Sequence, residues 1–187
     1  MMRTRLRPMP TADELAALYA TPHDHTRWVD HLFRVDITSA MAALMLPPNG
    51  RVADLSCGNA TIARRLEESH NAHLQLGDYA PGYQFTGPIE ETIKKIQPVD
   101  LFVLSETLEH LDDPDAVLKA IRPKTGRLLL STPDGETNNE NPEHTWGWDS
   151  EAVAGMLRAA SFHPDIHTTV DTRPWGGVYS FQIWACR

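Results

Sequence analysis

The 187-residue chain has no long hydrophobic run, only two cysteines, and fewer basic than acidic residues. Each shortage excludes something. No stretch approaches the roughly 18 apolar residues of a membrane-spanning helix, so no membrane role is expected. The opening MMRTRLRPMP is basic but has no apolar segment behind it, which argues against a secretory signal. Its arginines, Arg3, Arg5 and Arg7, are expected to mark a mobile tail. Cys57 lies in a small-residue turn and Cys186 far from it. Thiols so placed read as free cysteines in a reducing compartment, which gives a cytoplasmic expectation. Lys and Arg number 17 against 25 Asp and Glu, a net charge of −8. Duplex nucleic-acid binders draw much of their affinity from neutralising phosphates with a basic face, so broad duplex binding is not expected. Repeats and low-complexity segments are also absent. What remains is a globular composition, 41% hydrophobic and 22% charged, long enough for one α/β domain with a real core.

The chain is organised around RVADLSCGNATIARRL, residues 51–66. An apolar run ends at Asp54, the small residues Ser56, Cys57, Gly58, Asn59 and Ala60 follow, and Thr61 opens an amphipathic pattern. This reads as strand, tight turn and helix. Small residues let a ligand approach the backbone beside a helix N-terminus, where free N–H groups and the positive dipole end point outwards. The turn has one glycine where a dinucleotide binder has three.

Thr11 to Ala20 reads as a short helix with a Thr11/Glu14 capping box. Trp28 to Leu46 reads as a longer one, with Trp28, Leu32, Val35, Met41, Leu44 and Met45 at helical spacing. His23, His25 and His31 cluster near Trp28, either as a lid carrying a base or second metal site, or as a polar surface on a capping helix. His73 to Gly77 reads as the second strand, ending at Asp78. A carboxylate there can accept both ribose hydroxyls of a nucleotide. Tyr83 to Ile89 should hold the third strand. A parallel crossover normally takes a dozen residues or more, so the usual crossover helix is missing here. Glu90 to Ile96 reads as a short helix with Glu91 and Lys95 paired at i, i+4.

Val99 to Leu104 is a central parallel strand by its continuous apolar run. Asp115 to Ile121 is a helix, Arg127 to Thr132 a strand, and Ser150 to Ala160 a helix capped by Asp149 or Ser150. Ile166 to Val170 and Val178 to Ala185 are closing strands joined by a Pro-Trp-Gly-Gly turn. The polar stretch from Pro133 to Asp149 is acidic through Asp134, Glu136, Glu140, Glu143 and Asp149, either a solvated loop or a mobile lid. Trp146, Trp148 and Trp175 are candidates for stacking a flat substrate, or else packing residues.

Glu106, Glu109 and His110 follow the central strand at i, i+3, i+4. At helical pitch this puts all three on one face, at the carboxyl end of the sheet where ligands of open α/β folds bind. Two carboxylates and an imidazole so close would perturb one another unless a cation sat between them. His144 is available as a fourth ligand.

The turn D-x-S-C-G-N-A resembles motif I of the class I S-adenosylmethionine (SAM) methyltransferases, with Ser56 and Ala60 in place of two glycines. The closing hairpin fits the same family and is lacking in a dinucleotide-binding Rossmann fold. The resemblance implies a Rossmann-like α/β core over residues 49–187, mostly parallel, with helices on both faces and a shortened crossover after the second strand. Residues 1–48 become a helical extension over the active site. It places cofactor contacts at Asp54, Ser56, Gly58, Ala60, Asp78, Tyr79, Gly87, Ile89 and Glu106. Pro88 stands where the family often has an acidic residue at the adenine, leaving that contact to the Ile89 backbone.

E-x-x-E-H followed by S-T-P-D and a later His resembles two groups within the family. These are small-RNA 3′-terminal ribose 2′-O-methyltransferases and ubiquinone-type O-methyltransferases. The first implies Mg²⁺ or Mn²⁺ on Glu106, Glu109, His110 and His144. Related enzymes carry the motif without metal; there Glu106 lines the SAM pocket and His110 is structural or a base. Without metal, His110 or His144 would be the general base, since imidazole titrates near the operating pH. The expected activity is SAM-dependent O-methylation of a small-molecule or nucleoside-like hydroxyl. The alternatives are 2′-O-methylation of an RNA 3′ end, a SAM- or nucleotide-binding protein without catalysis, and a structural module on the same sheet.

Overall fold

The computed structural model describes residues 2–137 and 141–187. Its main sheet has seven strands: β2 (Arg51–Asp54), β3 (His73–Asp78), β4 (Phe85–Thr86), β5 (Leu101–Ser105), β6 (Leu128–Pro133), β8 (Pro164–Asp171) and β9 (Ser180–Cys186). Their spatial order is β4-β3-β2-β5-β6-β9-β8, parallel throughout except for β9, which runs antiparallel to both neighbours. This is the expected architecture, including the closing hairpin.

Both faces of the central strands are covered, so their sequences are nearly continuous apolar runs rather than alternating ones. Phe102, Leu104, Leu128 and Leu130 point to one cluster, with Val117 and Leu118 of α5 (Pro114–Ile121) and Val153 and Leu157 of α6 (Ser150–Ala159). Leu101, Val103, Leu129 and Ile183 point to the other. There they meet Val35 and Ala42 of α2 (Val29–Met45) and Ile62 and Leu66 of α3 (Thr61–His70). Each fully buried side chain of this kind contributes roughly 1.5–3 kcal/mol.

The crossover after β3 is short, as expected, and its geometry explains how. Only Gly77↔Phe85 and Asp78↔Thr86 pair. Residues 79–84 therefore return the chain past two residues, roughly 7 Å at strand rise, rather than past a full strand. A helix is not needed to cover that distance. Next, α4 spans Ile89–Thr92, shorter than expected, and Glu91 pairs with Lys94 at 2.8 Å rather than with Lys95.

The N-terminal arginines are not a mobile tail. β1 (Arg3–Arg5) pairs antiparallel with β7 (Trp146–Trp148) in a small second sheet. Arg3 reaches Asp115 at 2.6 Å and Arg5 reaches Asp112 at 2.5 Å. Both guanidiniums lie over the Trp146 ring, 4.9 and 5.3 Å from its centroid. The polar stretch before α6 therefore holds a strand. Glu140 lies outside the described residues.

α1 (Ala12–Leu18) starts at the expected capping box: Glu14 N donates to Thr11 Oγ1 at 3.3 Å, and Thr11 N to Glu14 Oε2 at 2.7 Å. Thr11→Ala should weaken this helix by about 1 kcal/mol, read as about fivefold faster amide exchange over residues 12–18; unchanged exchange would contradict the cap's role. α2 buries Val35 and Met41 as expected, but its buried stripe is otherwise shifted. Arg34, Val35, Thr38, Met41 and Ala42 face inwards, while Leu44 is 81% exposed and Trp28 53% exposed. Thr38 can be buried because its hydroxyl donates to the Arg34 carbonyl at 2.8 Å.

Candidate active site

A cleft, partly open to solvent, lies at the carboxyl ends of β2, β3 and β5. Its floor is the turn between β2 and α3. Gly58 has φ +52°, and a Cβ there would meet the His23 carbonyl oxygen at 2.6 Å. The glycine is thus required twice, by its left-handed backbone and by the segment crossing above it. Asn59 N donates to that same carbonyl at 3.0 Å. Asp78, at the end of β3, accepts from Gly58 N at 2.8 Å and Ala80 N at 3.0 Å. Burial raises its pKa.

Asp54, Ser56, Gly58, Asp78, Tyr79, Ile89 and Glu106 all border the cleft. Ala60 and Gly87 do not. Ala60 is fully buried and caps α3 in the left-handed region at φ 59°, so its small size serves the helix start. Gly87 has φ +123° with open space around it, and its N–H donates to the Asp78 carbonyl at 3.0 Å. Backbone conformation, not ligand approach, is what requires glycine there.

Asp54 is buried, and desolvation with a smaller contribution from Asp78 pushes its pKa up to about 7. A folded pKa above the unfolded 3.8 gives stability that is fully present below 3.8 and is lost as pH rises toward 7. Asp54→Asn, which keeps an acceptor for Ser56 N, should therefore unfold at higher denaturant than wild type above pH 7. The gap should reach on the order of a few kcal/mol and close in acid. A gap independent of pH would contradict this origin.

The residues after β5 do not form the expected helix. Glu106 sits at φ +50°, and Leu108–His110 is a tight 3-10 turn. The left-handed residue breaks helical pitch and separates Glu106 from the pair that follows. Its Oε1 accepts from Ser131 Oγ at 2.9 Å and lies 3.9 Å from Arg34 Nε. Among the described residues, the group able to hold a cation is Glu109, His110 and His144, whose ligand atoms lie within 4.8 Å of one another. Glu106 is not in it.

This trio is oriented by its surroundings. His110 Nδ1 lies 3.0 Å from the Glu143 carbonyl, which can only accept, so Nδ1 carries the proton and Nε2 keeps a lone pair. Tyr19 Oη stands 3.1 Å from the same nitrogen. Burial, helped by His144, lowers the His110 pKa to about 3. His144 Nδ1 faces Glu136 Oε2 at 2.6 Å, leaving Nε2 toward Asn141 Nδ2 at 3.0 Å. Burial lowers the His144 pKa, but the Glu136 hydrogen bond and the Glu109 charge outweigh it and the net shift is upward. Glu109 Oε2 accepts from Thr132 Oγ1 at 2.9 Å, while buried Oε1 has no partner. Burial, with Glu106 adding repulsion, raises its pKa.

The histidines of the cluster are half-buried. His25 stacks on His31 at 4.8 Å, and His31 packs edge-on to Phe181 at 5.2 Å. His23 and His25 border the cleft. Burial, then repulsion from Arg34, lowers the His25 pKa to about 2. The tryptophans are not stacking platforms in the cleft. Trp148 is core, its Nε1 donating to Thr132 Oγ1 at 3.1 Å; Trp146 donates to the Leu111 carbonyl at 2.8 Å; Trp175 is 89% exposed. Cys57 and Cys186 are free thiols, and burial raises both pKa values. Among the described residues no helix is long and apolar enough to cross a membrane.

The residue that sequence reading missed is Arg34. It is the buried cation of the cleft, hidden in α2 as an apparently solvent-facing arginine.

No family model matches the chain, and no curated protein sequence matches it. Solved structures share its fold. One is a Burkholderia thailandensis 1,6-didemethyltoxoflavin N1-methyltransferase, with bound 1,6-didemethyltoxoflavin and S-adenosylhomocysteine. It has TM-score 0.66 and 20% identity, over 97% of this chain and 92% of that one. The [4+2]-cyclase SpnF has TM-score 0.73 and 11% identity, over 98% of both chains. A Leishmania major SAM-dependent methyltransferase has TM-score 0.71 and 13% identity, over 94% of this chain and 82% of that one. The chain thus shares a fold with these three proteins, two of them named methyltransferases and one a cyclase.

Proposed function

We propose that the protein is a SAM-dependent methyltransferase acting on a hydroxyl of a small-molecule or nucleoside-like acceptor, with a divalent cation such as Mg²⁺ or Mn²⁺ held by Glu109, His110 and His144. The observation that carries the reading is the Asp78 carboxylate beside the Gly58 turn, both opening into one cleft at the carboxyl edge of a sheet of this strand order.

On this reading Asp78 accepts the ribose hydroxyls of SAM, and the backbone of residues 56–58 faces its amino-acid end. Asp54 supports the turn through Ser56 N at 3.4 Å. Tyr79 and the Ile89 backbone flank the adenine. Residues 1–48 cover the cofactor, since Met9, Leu15, Tyr19 and His23 border the cleft. SAM supplies an electrophilic methyl group on a sulfonium.

The trio suits a cation. Glu109 Oε1 is buried without a partner, and the histidines have their Nδ1 sides held by Glu143 and Glu136. A carboxylate or carbonyl behind a ligating imidazole fixes its ring and tautomer. A bound cation would lower the pKa of an acceptor hydroxyl. Without a cation, the Nε2 lone pair of His110, kept neutral by burial, would be free to take that proton instead. The same trio suits a terminal ribose diol, which keeps RNA 3′-end methylation as the second reading; the −8 net charge disfavours it.

Transfer of labelled methyl from SAM across catechols, aromatic acids, nucleosides and short RNAs, with Mg²⁺, Mn²⁺ or chelator, tests the proposal. Label is expected on small hydroxyl acceptors and is expected to fall with chelator. Binding of SAM without label on any acceptor would favour a non-catalytic binder.

A further inference from the structure

We propose that Arg34 recognises a carboxylate on the methyl acceptor, so that the substrate class is a small monoanionic acid. This rests on the methyltransferase reading above. Arg34 is 1% exposed and borders the cleft. A guanidinium is a cation with five N–H donors in a planar fork. Here Nη1 donates to Ser105 Oγ at 2.6 Å and Ser131 Oγ at 3.3 Å, and Nη2 donates to His25 Nδ1 at 3.2 Å. Nε has no partner. In a guanidinium, Nε–H and one Nη2 hydrogen share an edge, the two-donor fork that a carboxylate fills; here Nε–H is unused and Nη2 makes one hydrogen bond.

The nearest anion does not fill it. Glu106 Oε1 is 3.9 Å from Nε, beyond hydrogen-bond reach, and already accepts from Ser131. His25 must be neutral at Nδ1 to accept from Nη2, so it adds no charge. His31, stacked on His25, also has an unpartnered buried Nδ1. Buried polar atoms without partners are rare in native proteins and mark positions completed by something else. One cation with the Glu106 carboxylate already 3.9 Å away suits a single negative charge better than a phosphate dianion. The site adjoins the cation trio: His31, stacked on His25, and His144 of the trio both pack against the Tyr179 ring, at 5.8 and 5.7 Å. An acid held on Arg34 thus lies next to the groups assigned to its hydroxyl.

The test is calorimetry on the protein saturated with S-adenosylhomocysteine, using benzoate, benzamide and phenyl phosphate as probes. Benzoate should bind about tenfold or more tighter than either analogue. Arg34→Met and Arg34→Lys should each remove that preference while leaving benzamide binding unchanged. Lysine keeps the charge but not the fork, so it decides the matter if the Met variant does not fold. Equal binding of benzoate and benzamide by wild type, or an undiminished preference in Arg34→Lys, would overturn the inference. Tighter phenyl phosphate would overturn the monoanion assignment. If S-adenosylhomocysteine itself does not bind, the cofactor reading fails. The benzoate preference measured without it still judges Arg34.

Discussion

Glu109→Ala is expected to lower methyl transfer by about a thousandfold and to abolish its response to Mn²⁺, while S-adenosylhomocysteine affinity stays within about threefold of wild type. The size follows from the position. Glu109 is fully buried, its Oε1 is unpartnered, and it is the anionic member of the trio. Without it, two neutral imidazoles would have to hold a divalent ion alone, which is a weak donor set. The cofactor residues border the cleft and Glu109 lies behind it, so binding and turnover separate. Turnover and metal response in the variant equal to wild type would remove the cation from the mechanism.

Asp78→Ala is expected to weaken S-adenosylhomocysteine binding by about a hundredfold, measured by calorimetry. Two charge-assisted hydrogen bonds from ribose hydroxyls to one carboxylate are together worth roughly 3 kcal/mol or more. The same substitution removes the acceptors of Gly58 N and Ala80 N, which loosens the turn that shapes the floor. Asp78→Asn separates these effects, because an amide oxygen still accepts from one backbone N–H but carries no charge. Its affinity should lie between those of wild type and Asp78→Ala. Full affinity in Asp78→Ala would place the ribose elsewhere.

Much of the fold was legible because its strands are buried on both faces. Residues 99–104 and 127–132 read as strands from composition alone, and the structure places β5 and β6 there within a residue or two. The turn at Asp54–Ala60 was legible for a similar reason: small residues between a strand and an amphipathic helix leave few other conformations. β1 was not legible. Arg3-Thr4-Arg5 has no apolar face, and it is held by Trp146 and two aspartates distant in sequence. β7 hid in a polar stretch because two of its three residues are tryptophans already weighed as ligand contacts.

The site was half legible. Asp78, Glu109, His110 and His144 were singled out from residue type and spacing; Asp78 and His110 border the cleft, and the other two lie together with His110. The placement of Glu106 was not, because helical pitch was extended across a residue that adopts φ +50°. No local pattern announces a left-handed glutamate. Arg34 escaped for a different reason: a polar side chain is ordinarily solvated, and only the packed sheet end shows that this one is enclosed.

Calorimetric titration with S-adenosylhomocysteine and, separately, with NAD tests the central claim most directly. The fold is compatible with either ligand, whereas a single-glycine turn beside Asp78 favours the first. Saturable one-site binding of S-adenosylhomocysteine, lost in Asp78→Ala, together with no heat from NAD, is the predicted result. Binding of NAD without binding of S-adenosylhomocysteine would contradict it.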